Sequence, residues 1–471
     1  MDDWLVERAR RVHSLAPLKD LDPFTLPFTR GDLAREVMRL RADPETEESP
    51  DLLSLLDELE EELAPELFVP RADRPDGTVP VSVRGEFRLS GESGRRGAGR
   101  SVLLGDSSVR LTPRLLWHQR AEIDNRGMEQ PDFLGHPWKR GVTGRFTHAY
   151  FVYRAPGFAL SAGRRRFAWG PGLSGSMLLQ GSIPSLDQVG IEWAFGPFSG
   201  RAFVAPLDDF VAGEGDEETA ARRWLSGRRV VFRPSGGRFH VAFSEAVLYG
   251  GEERAFDWGY ANPLMSAYAV QWNKSRDDNV LWSFDAYARV HESVDLFGEF
   301  LIDDFQYDLE TEPNQIGFLA GMRLKDLPRL PGLFVEAEYV RVNNWVYGHG
   351  ESWNRYTYGN AILGHPIGPD ADRILVRLLR RFGRTFELLA DYERRREGEG
   401  SIDDSRDSAV PHGTGFLTGE VTTHDLPAFE VRWNPRANRR LFARVERSEG
   451  EEWIVSGGGM IRFAASHAFD R

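Results

Sequence analysis

From about residue 80 onward, apolar and polar side chains alternate with a period of two. Val280, Trp282, Phe284 and Ala286 alternate with Leu281, Ser283, Asp285 and Tyr287. The same pattern recurs where Leu333, Val335, Ala337 and Tyr339 interleave with Phe334, Glu336, Glu338 and Val340, and where Phe386, Leu388, Ala390 and Tyr392 interleave with Glu387, Leu389 and Asp391. Successive side chains of a strand point to opposite faces, so these runs predict long strands with one apolar and one charged face. A soluble sandwich would use shorter strands.

Connection lengths set the architecture. Tight turns fall at Arg154-Ala155-Pro156-Gly157, Pro234 to Gly237, His291-Glu292, Pro328 to Gly332, Gly383-Arg384 and Pro435 to Asn438. Long polar connections lie between them, near residues 123–140, 170–186, 207–221, 250–277, 305–314, 345–371 and 397–424. Short and long alternate, so all tight turns gather at one end and all long loops at the other. The tally is about eighteen strands, an even number, which suits an all-β transmembrane antiparallel barrel. A propeller would need blade repeats of ~40–50 residues, and none is found. The barrel is assigned to residues 76–471, with Val280, Trp282, Phe284 and Ala286 toward lipid. On that register arginine at 284 should impair folding, whereas asparagine at 285 should be tolerated in a polar lumen.

Residues 1–75 read differently. Trp4, Leu5, Val12 and Leu15 mark one short amphipathic helix, and Asp32 with Leu33, Val37, Met38 and Leu40 a second. Asp51 leads a third through Leu52, Leu55, Leu56, Leu59 and Leu63. Helices this short must pack on something larger. The segment is expected on the tight-turn side, capping or partly plugging the periplasmic mouth.

Composition narrows the chemistry. Cysteine is absent, which removes disulfides, thiolate metal sites and thiol nucleophiles. The net charge of −13 argues against nucleic acid as a partner. All but four of the 59 basic residues are arginine. No stretch approaches the ~18 uncharged apolar residues of a transmembrane helix. Met1-Asp2-Asp3-Trp4 lacks the basic and apolar regions of a secretory leader, which leaves either a cytoplasmic protein or a mature form with its leader removed.

Gly170-Pro171-Gly172-Leu173-Ser174-Gly175 satisfies G-x-G-x-x-G, but no helix or βαβ unit follows, so its glycines and proline are expected to shape a rigid external loop. Glu299, Asp303 and Asp304 invite a glycosidase reading. Adjacent strand residues face opposite ways, however, and inward carboxylates are ordinary in a polar lumen. The eleven histidines lack metal-ligand spacing, and His349 and His412 sit beside hydroxyls in long loops with nothing to orient them. No catalytic residue, metal site or cofactor is assigned. Sugar binding asks for aromatic faces beside amides and charges. The stretch from Trp345 to Asp372 supplies Tyr347, Trp353, Tyr356 and Tyr358, and the 250–277 loop adds Trp258 and Tyr260. Half of such aromatics would instead be interfacial girdle, Trp345 and Trp272 first among them.

Several stretches together resemble the capsule assembly protein Wzi family. They are Arg11 to Pro17 with Pro27-Phe28 and Gly31 to Ala34; Gly163-Arg164 followed by Trp169-Gly170-Pro171-Gly172; Asn262-Pro263; Asp278-Asn279; and Tyr356 to Asn360 running into Gly364-His365-Pro366-Ile367-Gly368-Pro369-Asp370. The resemblance implies an eighteen-stranded outer-membrane barrel with N-terminal helices on the periplasmic side. It also implies a lectin-like role in attaching exported capsular or extracellular polysaccharide to the cell surface. A closed barrel has no edge that demands a partner, so a monomer is expected. On this reading Trp353, Tyr356 and Tyr358 are the first expected sugar contacts, with Tyr347, Trp258 and Tyr260 second, on a shallow platform of external loops. Gly364 to Asp370 would fix loop shape. The alternatives are a diffusion porin and a barrel hydrolase acting on glycan or lipid.

Overall fold

The computed structural model describes residues 3–43, 49–67, 79–93, 99–212, 219–304, 314–325, 327, 329–404, 416–436 and 438–469. Eighteen antiparallel strands each bond to the next: β1 (Val79–Glu92), β2 (Arg100–Arg110), β3 (Leu115–Asp124), β4 (Thr143–Ala155), β5 (Phe158–Arg165), β6 (Leu186–Phe195), β7 (Phe198–Pro206), β8 (Thr219–Phe232), β9 (Phe239–Gly251), β10 (Asn279–His291), β11 (Val294–Asp304), β12 (Gln315–Leu324), β13 (Leu333–Val342), β14 (Ala371–Phe382), β15 (Phe386–Glu397), β16 (Thr422–Arg436), β17 (Arg439–Arg447) and β18 (Trp453–Phe469). β18 pairs back onto β1, with Phe463 opposite Gly85, and the sheet closes. Closure removes the edge that an open sheet would expose.

The period-two pattern sorts onto the two faces. On β10, Phe284 and Ala286 are exposed on the outer wall while Leu281, Ser283, Asp285 and Tyr287 are buried inside. Aromatic side chains ring both ends of the outer wall. Phe158, Phe195, Phe198, Phe239, Phe386 and Trp433 stand at the tight-turn end, and Trp138, Phe146 and Trp453 at the other.

The inner face departs from the expectation of a forgiving, hydrated lumen. Both Asp285 oxygens accept from Arg229, at 2.6 and 2.9 Å, and His240 Nε2 lies 2.9 Å from Oδ1. The Asp285 and Arg229 side chains are both 1% exposed. Asparagine at 285 would strand a buried guanidinium, so this position is not tolerant.

Three thirteen-residue helices fill the tight-turn end: α1 (Asp3–Leu15), α2 (Arg30–Ala42) and α3 (Pro50–Glu62). α2 starts two residues before Asp32 because Thr29 caps it, and the Thr29 and Asp32 side chains close a reciprocal capping box. Ser49 caps α3, with Pro50 in its first turn. Their leucines form one core with Phe334, Leu379 and Leu389 of the inner wall. Ion pairs tie them to that wall: Arg8 to Glu387 at 2.6 Å, and Arg381 to Glu58 at 3.2 Å. Lys325 Nζ donates to Ser14 Oγ at 3.0 Å. The helices therefore sit inside the mouth as a plug.

Candidate functional site

At the long-loop end, two connections fold inward instead of standing up. Residues 166–185 enter between the wall and α1. Trp169 pairs with Thr25 and Ala168 with Leu26 in a short antiparallel ladder, and Arg10 donates to the carbonyls of Gly170 and Gly172 at 2.9 and 3.0 Å. Two carboxylates of the inner wall hold the turn. Glu299 accepts from the amides of Gly172 and Met177, and Glu338 from those of Leu173 and Ser174. Gly170 adopts φ +140°, and a Cβ there would lie 2.2 Å from Glu299 Oε1. Glycine is needed because the backbone approaches a carboxylate so closely. The G-x-G-x-x-G segment thus shapes a lumen strap, where an external loop was expected.

Residues 343–370 form the second inward piece. Tyr347 is fully buried, donates to the Met177 carbonyl at 2.6 Å, accepts from the His365 amide at 3.0 Å and stacks on Tyr356 with centroids 5.9 Å apart. Burial pushes the Tyr347 phenol far above its usual range, against the lowering pull of that amide, so it stays a neutral donor. Gly364 passes the Tyr347 ring so closely that a Cβ would lie 2.3 Å from it. His365 is fully buried, and burial, then the Arg373 charge, pushes its imidazole well below the ordinary histidine value. Asp370, also buried, accepts from the amides of Gly400 and Thr418 at 3.0 Å and from Thr418 Oγ1 at 2.6 Å. Gly368 and Asp370 both take positive φ. Gly163, at φ +114°, lies against the Ala149 carbonyl, and Arg164 pairs with Asp187.

These placements rearrange the expected platform. Tyr347, Tyr356 and Tyr358 are core residues, and Trp345, expected in the girdle, is buried among the inward loops. Tyr260 is buried against the outer wall, while Trp258 is 81% exposed on that same outer side, near Asn262 and Pro263. Of the six expected contacts, only Trp353, half-buried beside Gly250, keeps accessible surface over the inward-folded loops. His412 lies outside the described residues. Among the described residues, no group of three or more histidines and carboxylates is arranged to hold a metal ion.

The other half of the lumen holds a cavity above the helices. A cavity of about 730 Å³ lies between α1, β1–β4 and β16–β18, reaching Gln130, Pro131 and Asp132 of the loop between β3 and β4. Nine arginines and four carboxylates line it, a cationic bias in a chain of net charge −13. Trp4 forms part of its floor, with the Arg440 guanidinium 3.3 Å from the ring centre. Burial pushes the Glu7 carboxyl up, but Arg11, Arg432 and Arg8 outweigh it and hold the group well below the usual range. At the cavity's upper margin Arg145 pairs with Asp132 at 2.8 Å and lies 5.9 Å from the Phe133 ring. Aromatic, carboxylate and guanidinium thus meet at a half-buried surface. Sequence reasoning missed this group. Its one visible signal was the near-total use of arginine for positive charge.

The family model described as "Capsule assembly protein Wzi" matches residues 86–454. Among solved structures, the chain is similar to Wzi of Escherichia coli, described as an outer membrane protein involved in group 1 capsule assembly and a carbohydrate-binding β-barrel. The TM-score is 0.65 at 14% identity, covering 98% of each chain. OccD3 of Pseudomonas aeruginosa aligns at TM-score 0.49 and 10% identity, over 83% of this chain and 93% of that one. OprD of the same organism aligns at 0.46 and 12%, over 85% and 99%. No curated protein sequence matches.

Proposed function

This chain belongs to the capsule assembly protein Wzi family, and from that premise we propose that it is an outer-membrane barrel that binds exported capsular or extracellular polysaccharide and holds it at the cell surface. The long loops face outward from the cell, the helical plug faces the periplasm, and the barrel works as a monomer. One observation carries the reading. The N-terminal segment and the inward loop meet across the lumen, through the Thr25–Leu26 ladder and Arg10, as suits a closed binding barrel better than a diffusion channel. Binding without catalysis is supported by the inner carboxylates, which are engaged structurally. Glu299 and Glu338 hold backbone amides, Glu336 holds Arg323, and Glu387 holds Arg8.

The polysaccharide contacts lie across the long-loop end, on Phe133 with Asp132 and Arg145, and on Trp353. A long repeating ligand sums weak contacts, so two separated aromatic faces suffice. Replacing Phe133 and Trp353 together by alanine should weaken binding of capsular glycan roughly tenfold, taking an aromatic face as worth about 0.5–1.5 kcal/mol. Glycan pull-down and cell-bound capsule both read this, with heat-modifiable migration as the control for barrel assembly. Unchanged capsule retention would place the contacts elsewhere.

A further inference from the structure

Three outward-facing polar residues stand where an apolar wall is expected. Ser226 and Arg228 of β8 and Glu245 of β9 lie on the outer side, in register with Trp282 of β10, and all three are buried. Their cover is the connection between β9 and β10, which turns down over the wall as two short helices, α4 (Trp258–Ala261) and α5 (Ala267–Asn273).

The cover supplies a hydrogen-bond partner to each of them. Ser226 Oγ and Arg228 donate to the Tyr260 carbonyl at 2.6 and 2.8 Å. Glu245 accepts from Ser266 Oγ, the Ala267 amide and Trp282 Nε1 at 2.8–3.0 Å. Around this polar centre, Val247, Tyr249, Tyr260, Ala267 and Val270 form a separate small core, outside the barrel. Tyr260 also donates to Asp278 at 2.6 Å, and Lys274 grips Asp257 at 2.6 Å, pinning both ends. The hairpin is thus fastened to the wall by an internal polar lock, not laid on it by chance.

Its far side is apolar. Trp258 is 81% exposed, Leu264 92% and Trp272 69%, with Met265 and Tyr268 exposed beside them. An exposed patch of this kind marks a surface that meets something other than water. Continuity identifies the occupant. Phe284 touches Phe243 at 5.1 Å, Phe243 reaches Trp282 at 6.5 Å, Trp282 meets Tyr268 at 5.2 Å, and Tyr268 meets Trp272 at 5.9 Å. The apolar outer wall therefore runs without a break onto the hairpin.

We propose that the hairpin is a membrane-embedded flap, locked over the polar centre of the outer wall and presenting Trp258, Leu264, Met265, Tyr268 and Trp272 to the lipid of the leaflet at the long-loop end. The proposal rests on the membrane reading of the barrel. It removes Trp258 and Tyr260 from the glycan site: one meets lipid and the other holds the lock. Amphipathic rings with polar handles suit that depth.

The chain contains no cysteine, so single nitroxide labels report without interference. Full-length protein carrying Leu264→Cys would be labelled in vesicles of phosphatidylcholine and phosphatidylglycerol. Val455→Cys, on the outer wall of β18, and Glu451→Cys, in the preceding turn, serve as membrane and water references. Leu264 is so exposed that cysteine there removes no packing. Relaxation at 264 by oxygen exceeding that by an aqueous nickel chelate, as at 455, is the expected result. A label at 264 that relaxes like 451, or that is shielded from both reagents by a second copy or another protein, overturns the flap while 455 upholds the membrane reading. If 455 itself relaxes like 451, the membrane reading falls and the flap with it.

Discussion

Asparagine in place of Asp285 is expected to destabilise the barrel by about 3–5 kcal/mol, the usual consequence of removing one partner from a buried ion pair. Arg229 would keep its charge but lose its bidentate carboxylate, and Ser244 Oγ at 2.9 Å could not replace it. Arginine in place of Phe284, the next residue, should cost about 2–4 kcal/mol for a different reason, a charge forced into the apolar belt of the outer wall. Urea unfolding in lipid measures both. The pair separates two causes that the register alone would confuse: the lipid-side variant should recover when the bilayer is thinned toward position 284, and the lumen-side variant should not. An Asp285→Asn barrel as stable as the parent would mean that Arg229 is hydrated rather than locked.

Removing residues 1–70 is expected to convert a silent barrel into a conducting one. The helices bury their leucines on one patch of inner wall, and their wall partners Glu387, Arg381 and Asp295 would become hydrated lumen groups rather than buried unpaired ones. Folding should therefore survive. The strap at 166–185, however, would lose Arg10 and the Thr25–Leu26 ladder that brace it from below. Planar-bilayer recording should find steady current through the shortened chain and almost none through the parent. Equal current through both would show that the helices do not close the lumen. A shortened chain that never assembles would make them part of the barrel's folding core.

The barrel was legible because it is written locally. Alternation along Val280 to Tyr287 needs only the period of the strand, and the turn at Gly383-Arg384 needs only its own residues. The helices were legible for the same reason, with α2 displaced by two residues because a threonine cap competes with an aspartate at the same start. The site was not legible. Aromatic and amide density between Trp345 and Asp372 looks the same whether a loop stands in water or folds into a lumen. Tyr347 became a core residue because Asp303 of β11 and Met177 of another loop bind it, and neither is near it in sequence. Tyr260 was drawn to the outer wall by Ser226 and Arg228, polar residues at positions whose alternation alone predicts lipid. The arginine-lined cavity shows the same limit from the other side. Its lining comes from both ends of the chain, which meet where β18 closes onto β1 and where Arg440 covers Trp4.

Whether the intact protein holds polysaccharide decides its function most directly. Purified full-length barrel in lipid nanodiscs, presented with a panel of capsular glycans, should bind at least one of them, with binding reduced by the Phe133 and Trp353 double replacement and untouched by Leu264→Cys. Binding to no glycan, together with steady ion current through the intact barrel, would contradict the account and leave a channel in its place.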